Sequence, residues 1–195
     1  MRKRAQVVDA ERILEICRGC AANVYYRKRP NARYTEIIAR QLFGIAAHES
    51  MGFRATRQFG YDWKSTEGAF GLWQVETSSV IHTYGKLRHR PQIEANASAW
   101  LFRHPSAAGG VLDKLNLGSM MRLMMGWDEL ACFFARCHLL WDPEPIPESI
   151  EDQAGKWDEV YNRNPNAGFP GEYLLNWSIY CAPILGAEYK KVSNE

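Results

Sequence analysis

The sequence predicts a mainly α-helical domain interrupted by one long loop or small β-hairpin, and three observations lead there. Apolar residues recur at three- and four-residue steps through most of the chain, the spacing that lines one face of an α-helix. Strand-length alternation of apolar and polar residues is missing outside residues 51–75. The 195 residues are 46% hydrophobic and 24% charged, a globular balance with enough apolar material for one continuous core.

Asp9 precedes Ile13, Leu14, Cys17 and Ala21, which share a helical face, so a first helix is expected to end before the turn Arg27 to Asn31. Thr35 is the expected cap of a second helix. Within it Ile38, Leu42, Ile45 and Glu49 follow at steps of four, three and four, which puts a carboxylate on the apolar stripe. Gly52 ends that helix. Met51 to Phe70 is then a long connection with Gly60, Tyr61, Asp62 and Trp63 at its centre, and long loops in compact domains are often functional. Further helices are expected around Glu76 to Tyr84, Ile93 to Phe102 and Ala107 to Leu115. Met120 to Trp141 is the most apolar stretch, with Leu123, Trp127, Leu130, Phe134 and Cys137 on helical spacing. It reads as a central helix open to a break at Gly126. Pro143, Pro145 and Pro147 end it and set an extended crossover. Helices over Ser149 to Tyr161 and Gly171 to Leu185 complete a single domain spanning 1–195.

Composition narrows the function classes. A net charge of +2, with basic runs only at Met1-Arg2-Lys3-Arg4 and Arg27-Lys28-Arg29, predicts no nucleic-acid partner. Residues Ala5 to Glu15 include Gln6, Asp9, Glu11 and Arg12, so no apolar secretory core follows the basic start. No run approaches the roughly 18 apolar residues of a membrane span. The expectation is a protein made in the cytoplasm without a signal peptide or membrane anchor. The five cysteines, Cys17, Cys20, Cys132, Cys137 and Cys181, cannot all pair. A four-thiolate zinc site is the alternative to buried thiols, and helical surroundings favour thiols. No metal or cofactor is expected.

The chemistry centres on Glu49. Burial on a packed helix face disfavours the charged carboxylate, and so does the negative end of the helix dipole, so its pKa should rise. A neutral carboxylic acid is what cleavage of a glycosidic bond needs, because the leaving oxygen must gain a proton. The turn Glu67-Gly68-Ala69-Phe70-Gly71-Leu72-Trp73-Gln74 follows, with glycines that allow close backbone approach to a ligand. The plain alternative is a helix-terminal glutamate paired with Arg54 or Arg57. His48-Glu49 is not the start of a zinc-protease helix, because position 52 is Gly52 rather than a second histidine.

Ala47-His48-Glu49-Ser50, followed by Gly68-Ala69-Phe70-Gly71-Leu72-Trp73-Gln74-Val75, resembles the paired motifs of soluble lytic transglycosylases and goose-type lysozymes. The likeness covers residues 39–80 and implies a lysozyme-like helical domain with the loop or hairpin beside an active-site cleft. It implies Glu49 as catalytic acid, Ser50 supporting its geometry, and Gly71, Leu72 and Gln74 as the substrate floor. Glu76 stands two residues after the motif glutamine, where goose-type lysozymes carry an acidic residue that positions water. Asp62 resembles a further acidic residue of that family. Tyr61 and Trp73 are candidates for stacking on sugar rings, with Trp73 half in the core. The implied substrate is the peptidoglycan glycan strand, cut at the β-1,4 bond between N-acetylmuramic acid and N-acetylglucosamine. Hydrolysis assisted by Glu76, or attack by the sugar's 6-hydroxyl to leave an anhydro product, are both open.

Two departures stand out. Transglycosylases carry a proline and a threonine just beyond the glutamine, whereas this chain has Thr77 and Ser79 without the proline. The family's Ala-Tyr-Asn-Ala-Gly stretch has as its nearest counterpart Ala131-Cys132-Phe133-Phe134-Ala135-Arg136, which supplies no hydroxyl; Tyr61, Trp63 or Tyr161-Asn162 are the candidates to replace it. From Leu139 through Trp157, Tyr161-Asn162, Gly168 and Trp177 the chain looks like small lysozyme-like proteins of bacteriophages. That implies a virion-associated enzyme acting on the cell wall beside other virion proteins, or a phage structural protein that keeps the scaffold without turnover.

Overall fold

The computed structural model describes residues 9–55, 67–101, 117–162 and 168–186. Helix α1 (Ala10–Asn23) starts where the Asp9 carboxylate accepts from the amides of Glu11 and Arg12 at 3.1 and 3.3 Å, satisfying donors that the first turn leaves free. Helix α2 (Ala32–Glu49) is capped by Asn31 and not, as expected, by Thr35. The Asn31 side chain accepts from the Tyr34 amide at 2.8 Å. Thr35 is already inside the first turn, its amide and its hydroxyl both donating to the Asn31 carbonyl at 2.8 Å.

α2 is the central element. Ile37 to Ala39 and Gln41 to Ala47 are all buried, because other helices surround it. One of those approaches needs a residue without a side chain: a Cβ at Gly44 would lie 2.1 Å from the Tyr173 hydroxyl. Beyond α2 the only regular strands among the described residues are β1 (Ala69–Phe70) and β2 (Val75–Glu76), an antiparallel pair with Ala69 opposite Glu76 and Phe70 opposite Val75. The fold is thus mainly α with a small hairpin.

α3 (Thr77–Leu87) and α4 (Pro91–Leu101) follow, and the helix expected at 107–115 lies outside the described residues. The apolar 120–141 stretch forms two helices, α5 (Leu117–Leu123) and α6 (Asp128–Leu140). They part at the turn containing Gly126, where the amides of Gly126 and Trp127 return to the Leu123 carbonyl at 3.0 and 2.8 Å. α6 is buried along ten consecutive residues, Leu130 to Leu139, and packs on α1, α2, α3 and α4.

After the prolines, Lys156 reaches back to the Asp142 carboxylate and to the Glu144 carbonyl, tying the crossover to α7 (Ile150–Lys156). α7 runs into a wider π-turn over Trp157–Tyr161. α8 (Pro170–Asn176) does the same over Trp177–Cys181 before α9 (Ala182–Leu185). In both turns an amide bonds the tryptophan carbonyl five residues back. The buried apolar residues form one cluster that joins α1, α2, the hairpin, α6 and both tryptophan turns. The five cysteines are unpaired and buried in it, and burial pushes the thiols of Cys17, Cys132, Cys137 and Cys181 up, so they remain neutral.

Candidate active site

Glu49 is the last residue of α2, and the chain stops the helix abruptly there. Met51, Gly52 and Phe53 all take positive φ, at 53°, 75° and 63°. Two of the three carry side chains, so the turn stores strain of about 1–3 kcal/mol per residue. The Gly52 amide donates to the Ala47 carbonyl at 2.8 Å, closing the end of the helix. Gly52 is also pinned from outside, since a Cβ there would meet the Tyr180 ring at 2.5 Å. Ser50 is fully buried, and its hydroxyl donates to the Ala46 carbonyl at 2.5 Å. Its part is to shape the turn that aims Glu49.

The Glu49 carboxyl accepts a hydrogen bond from the indole Nε1 of Trp157 at 2.8 Å. Its surroundings raise its pKa to about 7: burial pushes it up, the Trp157 bond pulls it down, and the nearby charge of Glu76 pushes it up again. A carboxyl with that value is half protonated near neutral pH. Trp157 itself is buried, held edge-on by the His48 ring at 4.4 Å and stacked with Tyr173 at 5.7 Å. His48 is fixed in turn by Asn176, whose amide nitrogen lies 2.9 Å from Nδ1. Burial lowers the His48 pKa, so the ring is neutral where Glu49 titrates.

Tyr161 closes the same π-turn. Its hydroxyl donates to the Trp73 carbonyl at 2.6 Å. Burial raises its pKa first, and the charges of Glu49 and Glu76 raise it further, which places the three ionisable groups in one neighbourhood. Tyr161 thus lies near enough to Glu49 for their charges to interact, while its hydroxyl proton goes to the Trp73 carbonyl. Phe133 and Phe134 have turned into the core, edge to face at 5.5 Å. Glu76, at the end of β2 and the start of α3, is exposed and accepts from the Ser78 hydroxyl at 3.4 Å.

Gly71, at φ 70°, makes a close approach to α6, since a Cβ there would lie 2.5 Å from Ala131 Cβ and 2.8 Å from the Met124 carbonyl. Leu72 and Trp73 are fully buried, and the Trp73 indole donates to the Leu42 carbonyl at 2.8 Å. Trp73 is thus wholly core, not half, with no ring face left for a sugar. Gln74 donates to the Gly71 carbonyl at 2.7 Å and to the Ala55 carbonyl at 3.3 Å, clamping the turn to the chain that leaves α2.

Family models, curated proteins and solved structures give no match to this chain. The site's chemistry is set by its own groups. Of the expected residues, Glu49, Glu76 and Tyr161 come together, while Tyr61 and Asp62 lie outside the described residues. Trp157, the residue that bonds Glu49, was not singled out from the sequence. The one local signal for it was an aromatic pair, Trp157 and Tyr161, four residues apart with a polar atom on each ring. Together the groups offer a carboxylic acid able to give up a proton near neutral pH, a second carboxyl group that is exposed, and a neutral phenol bonded to the backbone.

Proposed function

We propose that this protein cleaves the glycan strand of peptidoglycan, with Glu49 protonating the bridging oxygen of the β-1,4 bond between N-acetylmuramic acid and N-acetylglucosamine. One observation carries the reading: a helix-terminal carboxyl, bonded to the Trp157 indole, is kept in its acid form up to about pH 7 by burial. General acid catalysis by such a group supplies about 10² to 10⁴ in rate. Exposed Glu76 is the group that would orient water, giving a hydrolysed product; without its help the sugar's 6-hydroxyl attacks and an anhydro product results. The proposal extends to a virion-borne enzyme that opens the wall locally with other virion proteins, a part that rests on the resemblance of residues 139–177 to small lysozyme-like proteins of bacteriophages.

The test is release of soluble fragments from purified peptidoglycan, with mass spectrometry of what is released. Wild type should liberate fragments and Glu49→Gln should not. The fragment mass separates hydrolysis from anhydro-sugar formation by one water. The rival reading, a virion structural protein without turnover, draws on the phenylalanines buried where the family has a tyrosine. It expects no release from wild type, and that result would overturn the enzymatic proposal.

A further inference from the structure

A cavity of about 870 Å³ opens beside the start of α2, at the end of the helix away from Glu49. Its walls are the 25–31 turn, Tyr34 and Ile38 of α2, Arg90, the last turns of α6 and the 141–146 crossover. From Tyr34 to Glu49 the helix rises about 22 Å at 1.5 Å per residue, so this is a separate place in the molecule. Its volume lies in the range of sites for small molecules.

The lining is basic. Arg27, Lys28, Arg29, Arg90 and Arg136 face two acids, and one of those, Asp142, is already taken by Lys156. Arg136 is the telling residue. It is 5% exposed on the inner side of α6, and its Nε donates to the Val24 carbonyl at 3.3 Å. Among the described residues no carboxylate stands within ion-pair distance of it. Burial works against its charge, and the groups around it are the Tyr34 phenol and cysteine thiols rather than carboxylates. A guanidinium does not shed its proton to escape such a place, so a buried one without a counter-charge is a standing cost that an arriving anion removes. Arg90 is held in a related way, over the rings of Tyr26 at 4.5 Å and Trp141 at 5.2 Å. Its charge rests against aromatic faces rather than an acid. Leu139, Ile146 and Trp141 give the same cavity apolar wall.

We propose that this cavity is a second binding site, which takes a small organic oxyanion, a phosphate ester or a carboxylate, with Arg136 as the inner counter-charge and Arg90 at the aromatic wall. A guanidinium fork matches either oxyanion with paired hydrogen bonds, and the apolar wall takes the body that carries it. The site does not depend on the reading of Glu49.

The experiment titrates the full chain with phenyl phosphate and with phenylacetate at fixed ionic strength, followed by amide shifts in NMR and by calorimetry. Saturable one-to-one binding is expected, with shifts concentrated in residues 25–31 and 136–146, and the tighter probe identifies the oxyanion. Arg136→Met and Arg90→Gln should each weaken it about tenfold or more, the loss expected of a charge-assisted bond. Glu49→Gln should leave it unchanged. Should Arg136→Met fail to fold, Arg90→Gln decides alone. Absence of saturation by either probe at millimolar concentration, or saturation that the folded arginine variants leave intact, would overturn the assignment.

Discussion

Glu49→Gln tests the fold and the chemistry through one atom, and its effect on stability can be worked from the site. The carboxyl ionises near 4.5 in an ordinary setting and near 7 here. At about 1.36 kcal/mol per pH unit, ionising it in place costs the folded protein at most about 3 kcal/mol. The sign comes from counting protons. Between the two values the folded chain binds more protons than the unfolded one, so stability falls as pH rises from 4.5 through 7 and is level beyond. Glutamine keeps the shape and an oxygen that can accept from Trp157 Nε1, but carries no charge to desolvate. The mutant should therefore match wild type at about pH 4 and exceed it by up to about 3 kcal/mol at about pH 8. For a chain of this length that is roughly 6–12 °C in Tm. Thermal melts followed by circular dichroism across that range, at constant ionic strength, supply the comparison. A Tm difference that does not change with pH, or a mutant less stable at the alkaline end, would refute the neutral, half-buried acid. In the same variant, peptidoglycan cleavage should drop by about 10² or more.

Trp157→Phe removes the one bond that holds the Glu49 pKa down, so the alkaline limb of the pH–activity profile should move to higher pH, while urea unfolding registers a loss of about 1–2 kcal/mol. Tyr161→Phe strands the Trp73 carbonyl and should cost about 1 kcal/mol in the same unfolding measurement. Gly71→Ala forces a methyl to 2.5 Å from Ala131 Cβ at φ 70°. A loss of about 2–4 kcal/mol in unfolding free energy, measured in urea, is expected from that clash and the strained backbone, partly restored by Ala131→Gly. A full-strength Gly71→Ala protein would show that the turn can move off α6.

The parts of the fold that declare themselves locally were legible in the sequence. Asp9 is a cap because its side chain serves amides two and three residues on, and such a signal is complete within four residues. The break near Gly126 and the crossover after Pro143 are equally local. Glu49 was legible too, because its place on the apolar stripe of α2 follows from helical spacing. What failed depended on distant partners. Gly71 permits a close approach, but nothing near it in sequence says that Ala131 is what approaches. Trp73 belongs to the same motif and is claimed by a carbonyl 31 residues earlier. Trp157 reaches Glu49 across 108 residues. Thr35, the expected cap, lies one helical turn inside the residue that does the capping, Asn31, a residue type equally suited to it.

The π-turn at Trp157–Tyr161 carries a consequence for chain length. Its Asn162 amide spans one residue more than an α-helical bond would, so the helix stores a surplus residue between the two rings that attend Glu49. Shortening the segment by one lets the coil relax to ordinary pitch with α7 undisturbed, whereas lengthening it finds that slack already used. The neighbourhood of the acid is therefore more forgiving of a deletion than of an insertion, an asymmetry set by hydrogen-bond pitch and not by any side chain.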